Sequence, residues 1–180
     1  MSNVQKEVER WLDDVVIGLN LCPFARLPRS KNQVRFITSD AENSENLLSH
    51  LHDELKFLEE TSPNDVETSL LILPSMLADF DDYNQFLDVV DELLISFDWE
   101  GVFQIASFHP NYCFADTEPD SVENLTNRSP YPILHIIREA SMEKALQNMT
   151  APDEVFKRNI TTMHDLSNDE IKQLFPYLYK

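Results

Sequence analysis

Residues 68–108 read TSLLILPSMLADFDDYNQFLDVVDELLISFDWEGVFQIASF, and this run decides the fold. Thr68 to Leu73 is a short, continuous apolar run closed by Pro74, the pattern of a strand covered on both faces. Phe80, Tyr83, Phe86, Leu87, Val90, Leu93, Leu94 and Phe97 then recur with the helical period. Gly101 breaks the chain, and Val102 to Phe108 supplies a second strand. Strand, helix and strand in this order favour parallel pairing through a crossover.

The flanking sequence extends the pattern in both directions. Upstream, Gln33 to Thr38 (QVRFIT) alternates and is β-branched enough for a strand. Ser44 to Glu60 carries Leu47, Leu48, Leu51, Leu55 and Leu58 as one apolar stripe on a helix. Val4, Val8, Trp11, Leu12, Val15, Val16 and Leu19 mark the first helix, which Pro23 stops. Downstream, about twenty irregular residues precede a helix expected from Pro130 to Gln147, with Ser129 as N-cap and Pro130 at its first position. Ser167 and Glu170 form a capping box for a short terminal helix. The expectation is a single α/β domain over residues 1–180, a small, mainly parallel sheet of three or four strands covered by helices. A fourth strand would fit between Tyr112 and Thr117.

Two glycines and ten prolines argue against many tight hairpins. The formal charge of -18 repels nucleic acid and anionic lipid, whose binding rests on clustered Lys and Arg. Arg26, Arg29, Lys31 and Arg35 lie in an acid-free window from Val15 to Ser39. They attract a small anion or, the favoured reading, complement the protein's own acids. The first six residues lack the apolar run of a secretory signal, no stretch is apolar enough to span a bilayer, and two distant cysteines suit a reduced compartment, so a cytoplasmic location is expected.

Chemistry-bearing residues gather after the last strand. Between Arg35 and Arg128 the only other cation is Lys56, against 21 Asp and Glu. Arg128 therefore has a specific carboxylate or phosphate to hold, either a ligand's or that of Asp116, Glu118, Asp120 or Glu123. His109 follows the strand directly, beyond the carboxyl end where open sheets bind ligands, and suits a proton exchanger. On the expected helix, His135 lies beside Arg138 and Glu139. Cys22 ends the first helix, the wrong end for a stabilised thiolate, although Arg26 and Arg29 are near. No close-spaced Cys/His set points to a metal, and His50 and His52 at i,i+2 point apart on a helix. No Gly-rich phosphate loop or serine elbow is present, and no cofactor is indicated.

The phrases VVIGLNLCPFA (Val15 to Ala25), LADFDDYNQFLD (Leu77 to Asp88), GVFQIASFHPNYCFADTEPDS and TNRSPYPILHIIREAS resemble the bacterial family called domain of unknown function 1415, almost end to end. The resemblance implies a signature on Asn20, Cys22, Pro23, Phe24, His109, Pro110, Asn127, Arg128, Ser129, Pro130, Tyr131, Pro132, His135, Arg138 and Glu139. It implies no reaction. The leading expectation is a small-molecule-binding protein or enzyme for an anionic phosphate or carboxylate metabolite. In it His109, His135 and Glu139 would be catalytic, and Asn20, Cys22, Asn127, Arg128 and Arg138 would bind substrate. The alternatives are a thiol-dependent redox or sensing protein using Cys22, and a non-catalytic acidic module that docks a protein partner.

Overall fold

A computed structural model describes residues 3–147 and 154–179. Strands β1 (Val34–Thr38), β2 (Thr68–Ile72), β3 (Phe103–Phe108) and β4 (Ile133–Arg138) form one sheet in the order β1-β2-β4-β3. The first two pair in parallel, Phe36 opposite Leu70. β4 runs antiparallel to both its neighbours, with His135 opposite Leu70 on one side and Ala106 on the other.

The sheet is therefore mixed rather than mainly parallel, because the expected helix from Pro130 begins as a strand. Ile133-Leu134-His135-Ile136-Ile137 is rich in β-branched residues, and Leu134 and Ile136 face one layer while Ile133 faces the other. A strand buried on both faces reads as a continuous apolar run, and its isoleucines happen also to fall at helical spacing. The helix starts only at Glu139. Tyr112 to Thr117 forms turns rather than a strand.

Helices α3 (Ser44–Glu60) and α4 (Phe80–Ser96) cover one face of the sheet. Leu47, Leu51, Leu55, Leu58, Tyr83 and Val90 pack there on Leu71, Leu134 and Ile136. α4 is started by Asp79, whose carboxylate accepts from the backbone N–H groups of Asp81 and Asp82. The other face carries α1 (Asn3–Trp11), its wider continuation Leu12–Ile17, and the C-terminal helices α6 (Glu154–Asp165) and α7 (Asn168–Leu174). Val8, Trp11, Val15, Met163 and Phe175 meet Leu70, Ile72 and Ile133 there. α2 (Arg26–Ser30) and α5 (Glu139–Gln147) are short outer helices. The Ser167–Glu170 capping box at α7 is formed as expected. Among the described residues no helix is long and apolar enough to cross a membrane.

Arg138 ends β4 and binds the frame together. Its Nη2 donates to the carbonyls of Leu58 (2.6 Å), Thr61 (2.8 Å) and Val66 (3.2 Å), where α3 ends and the chain turns toward β2. A cation at a helix C-terminus also complements the dipole. Its Nε is buried without a partner, which offsets part of the gain. Arg138→Met is expected to lower stability by about 2 kcal/mol, or a melting temperature lower by roughly 4–8 °C. Unchanged urea denaturation in this variant would remove Arg138 from the frame.

Candidate functional site

The 24 residues from His109 to Pro132 link the upper ends of β3 and β4, and they fold into a compact platform rather than an open loop. Asn124, fully buried, organises its centre. Its side-chain oxygen accepts from Phe114 N–H (3.0 Å) and the Thr117 hydroxyl (2.8 Å), and its amide donates to the Glu118 carbonyl (2.8 Å). The Cys113 thiol turns inward to the carbonyls of Phe114 and Thr117. Asn127 fastens the platform to β3: its amide donates to Ser107 O (3.2 Å) and its carbonyl accepts His109 N–H. The Ser129 hydroxyl closes a short turn onto Tyr131 O (2.6 Å).

His109 is fully buried against the rings of Phe80 and Tyr83. Asn111 N–H donates to Nδ1 (3.0 Å), so the ring proton is on Nε2, which donates to Leu77 O (3.0 Å). Both nitrogens are thus engaged with backbone. Burial pushes the His109 pKa below its ordinary value, and the charge of Arg128 acts in the same direction. This histidine is held neutral.

Arg128 spans the platform. Its Nε donates to Tyr112 O (3.3 Å) and Nη2 to Pro119 O (2.6 Å), while its own carbonyl accepts from the Trp11 indole (2.9 Å) and the Tyr177 hydroxyl (3.1 Å). Among the described residues no carboxylate lies within ion-pair distance of it, and Nη1 has no acceptor. Asp116, Glu118 and Asp120 do not pair with it, and Glu123 lies 3.6 Å from His164 instead. Among the described residues, the carbonyl dipoles of Tyr112 and Pro119 are what faces its charge.

The other expected site residues separate. Because residues alternate across a strand, His135 and Arg138 take opposite faces of the sheet. Arg138 serves α3, and Glu139 opens α5 with its N–H on Val102 O (3.0 Å). His135 rests against Phe108 on the α1 side, whereas His109 rests on α4. The Thr68 hydroxyl donates to Ile136 O (2.6 Å), so its oxygen receives the Nε2–H of His135 (2.7 Å). Burial pushes the His135 pKa down to about 4.

Asn20 has positive φ (55°), and Leu21 N–H behind it reaches back to Val16 O (2.9 Å), a helix-terminating motif usually built on glycine. Arg158 and Asn159 of α6 then fasten the carbonyls of Asn20 and Leu21. Cys22 follows as a free thiol. Burial pushes its pKa up, against the opposing pull of the Phe24 and Ala25 amides, which works against a thiolate at neutral pH. The basic window is largely used internally: Arg29 pairs with Asp13 (2.7 Å), Arg35 with the buried Glu54 (2.8 Å), and Arg26 reaches Ile17 O.

A model of the family described as Protein of unknown function (DUF1415) matches residues 3–173. The chain belongs to that family. No curated protein and no solved structure matches it. The platform, the Asn20–Phe24 turn and β4 all lie within the residues matched by the DUF1415 model. Sequence reasoning missed Asn124, Trp11 as a donor, and Tyr177. An asparagine among VENLTN carries no periodicity or spacing that could have marked it.

Asn124→Ala leaves Phe114 N–H without its partner, while the Thr117 hydroxyl keeps Phe114 O and the Glu118 carbonyl keeps Ser121 N–H. A loss of about 1–3 kcal/mol is expected, with faster amide exchange at Phe114 and an intact sheet. Equal exchange across the platform would contradict the hub. For His135, the depressed folded-state pKa means that the native state resists the proton. Its contribution is fully present above roughly 6.5 and is lost as pH falls toward 4. The difference in denaturation free energy between wild type and His135→Leu should therefore shrink over that window. A difference independent of pH would show that His135 is not titrating there.

Proposed function

We propose that this DUF1415 member binds a small anionic metabolite, carrying a phosphate or carboxylate, at the platform above β3 and β4. The observation that carries this reading is Arg128, a partly exposed guanidinium without a carboxylate partner among the described residues of a protein of net charge -18. Two of its nitrogens are held by carbonyls, so the fork is rigid, and Nη1 remains to meet a ligand oxygen. A pre-oriented cation loses less conformational freedom on binding. Position supports the same reading, since ligands of open sheets gather beyond the strand ends.

His109 enters this proposal as a fixed neutral wall and not as a proton exchanger, because both ring nitrogens are occupied. Binding rather than catalysis is the role that the arrangement supports best. The acidic surface argues against nucleic acid and anionic membranes as partners, and two free thiols suit the reduced cytoplasm proposed for it.

A thermal-shift panel of inorganic phosphate, phosphorylated metabolites and di- and tricarboxylates tests the proposal on wild type and Arg128→Gln. A ligand at about 100 times its Kd adds roughly 2.7 kcal/mol. The variant loses two bonds to the platform and melts lower by itself, so each shift is read against the same protein without ligand. Wild type should be stabilised by at least one anion and the variant by none. The same ligand shift in both proteins would remove Arg128 from the site, and no shift in wild type across the panel would end the anion reading.

A further inference from the structure

The neighbours of Arg128 create a tension that a plain anion does not resolve. Its Nη2 is 2.6 Å from the carbonyl of Pro119, and the residues peptide-bonded to that proline are Glu118 and Asp120, both exposed. Residues 116–123, DTEPDSVE, add Asp116 and Glu123 and hold no cation. Consecutive Cα atoms are about 3.8 Å apart, so the carboxylates beside Pro119 stand within roughly 10 Å of the guanidinium, about one Debye length.

These carboxylates have no internal use. Among the described residues Asp116, Glu118 and Asp120 make no side-chain hydrogen bond or ion pair, and of the four acids only Glu123 has a partner, His164 at 3.6 Å. The backbone that carries them is firmly held instead. The Glu118 carbonyl accepts from the buried Asn124 amide (2.8 Å) and from Ser121 N–H (2.9 Å). The acids therefore ride on a fixed turn beside a fixed cation. Helix α6 meets the platform where Phe156 touches Phe114 (6.1 Å), and its own cations are engaged: Lys157 lies 3.9 Å from Glu154, and Arg158 donates to Asn20 O.

A ligand oxygen at Nη1 meets one favourable charge and, one residue further out, two unfavourable ones. A cationic group on the same ligand reverses the second effect, because it is attracted where a bare anion is repelled. Repulsion of plain anions is itself a source of selectivity. We infer that the ligand of this platform is a zwitterion, whose phosphate or carboxylate meets Arg128 and whose ammonium group, a few carbon atoms away, lies toward Glu118 and Asp120. The inference rests on the anion reading of Arg128 and narrows its chemical class.

Matched ligands test this by titration calorimetry at one pH and ionic strength: O-phosphoethanolamine against ethyl phosphate, and 4-aminobutyrate against butyrate. Within each pair the anion is the same and only the amine differs. The amine form should bind about fivefold tighter, the worth of one or two exposed ion pairs. Glu118→Gln combined with Asp120→Asn should bring that ratio to about one and tighten the plain anions. Removing the same two charges from α4, in Asp91→Asn with Glu92→Gln, should leave the ratio as in wild type. The substituted side chains are exposed, so both variants should melt as wild type does. Equal affinity within both pairs in wild type would overturn the zwitterion and leave the anion reading standing. A preference that survives in the Glu118/Asp120 variant, or that vanishes equally in the α4 variant, would overturn the role of these carboxylates. Binding of none of the four ligands would overturn the inference too, while the wider panel on wild type and Arg128→Gln decides the anion reading separately.

Discussion

The placement of β4 between β2 and β3 is the constraint on which the rest of the structure depends. It fills the slot that two parallel strands would otherwise share, and it buries Ile133, Leu134 and Ile136 completely. Because β3 and β4 are antiparallel neighbours, the chain leaves and re-enters the sheet at the same end. The 24 intervening residues must then close on themselves above the core, bringing backbone groups out of water. Asn124, Asn127, Ser129, His109 and Arg128 are the side chains that satisfy those groups.

A shortage of glycine governs how the helices end. With two glycines in the chain, three helical segments stop on Asn20, Asn32 and Asp98 at positive φ, and the next N–H returns to Val16, Pro28 and Leu94 respectively. Asn and Asp tolerate that conformation better than other side chains. Arginines take the carbonyls that remain: Arg26 on Ile17, Arg128 on Tyr112 and Pro119, Arg138 on Leu58 and Thr61, Arg158 on Asn20. None of these four is ion-paired with an acid among the described residues, where Arg29 and Arg35 are the arginines that are, so most of the acidic excess is left unpaired.

Local chemistry was legible where it writes itself into spacing. The apolar stripe of α3 and the Ser167–Glu170 box each depend on residues close to one another along the helix. β1 was legible from alternation and β-branching, and β2 and β3 from short apolar runs marked by Pro74 and Gly101. β4 was not, since burial on both faces removes the alternation that distinguishes a strand, and Ile133, Ile136 and Ile137 also satisfy a helical period. That single substitution of element carried His135, Arg138 and Glu139 with it, because a helix gathers what a strand sends to opposite faces. The rarity of Arg128 drew attention to the platform. Its partners are main-chain carbonyls, which every residue has and no sequence pattern distinguishes.

The contact between His109 and Leu77 joins these threads. Leu77 has a φ of 54°, a conformation in which a leucine costs about 1–2 kcal/mol. The buried Nε2–H of His109 holds its carbonyl, and the neighbouring Asp79 begins α4. Protonating His109 would put a hydrogen on Nδ1 opposite Asn111 N–H and break the turn that aims the ring. The platform, the strained Leu77 and the start of α4 are thus coupled through one neutral imidazole. Arg128 strengthens that coupling, because its positive charge disfavours the second proton. An anion bound at Arg128 as proposed would offset this charge, so ligand occupancy would favour protonation of His109 rather than oppose it.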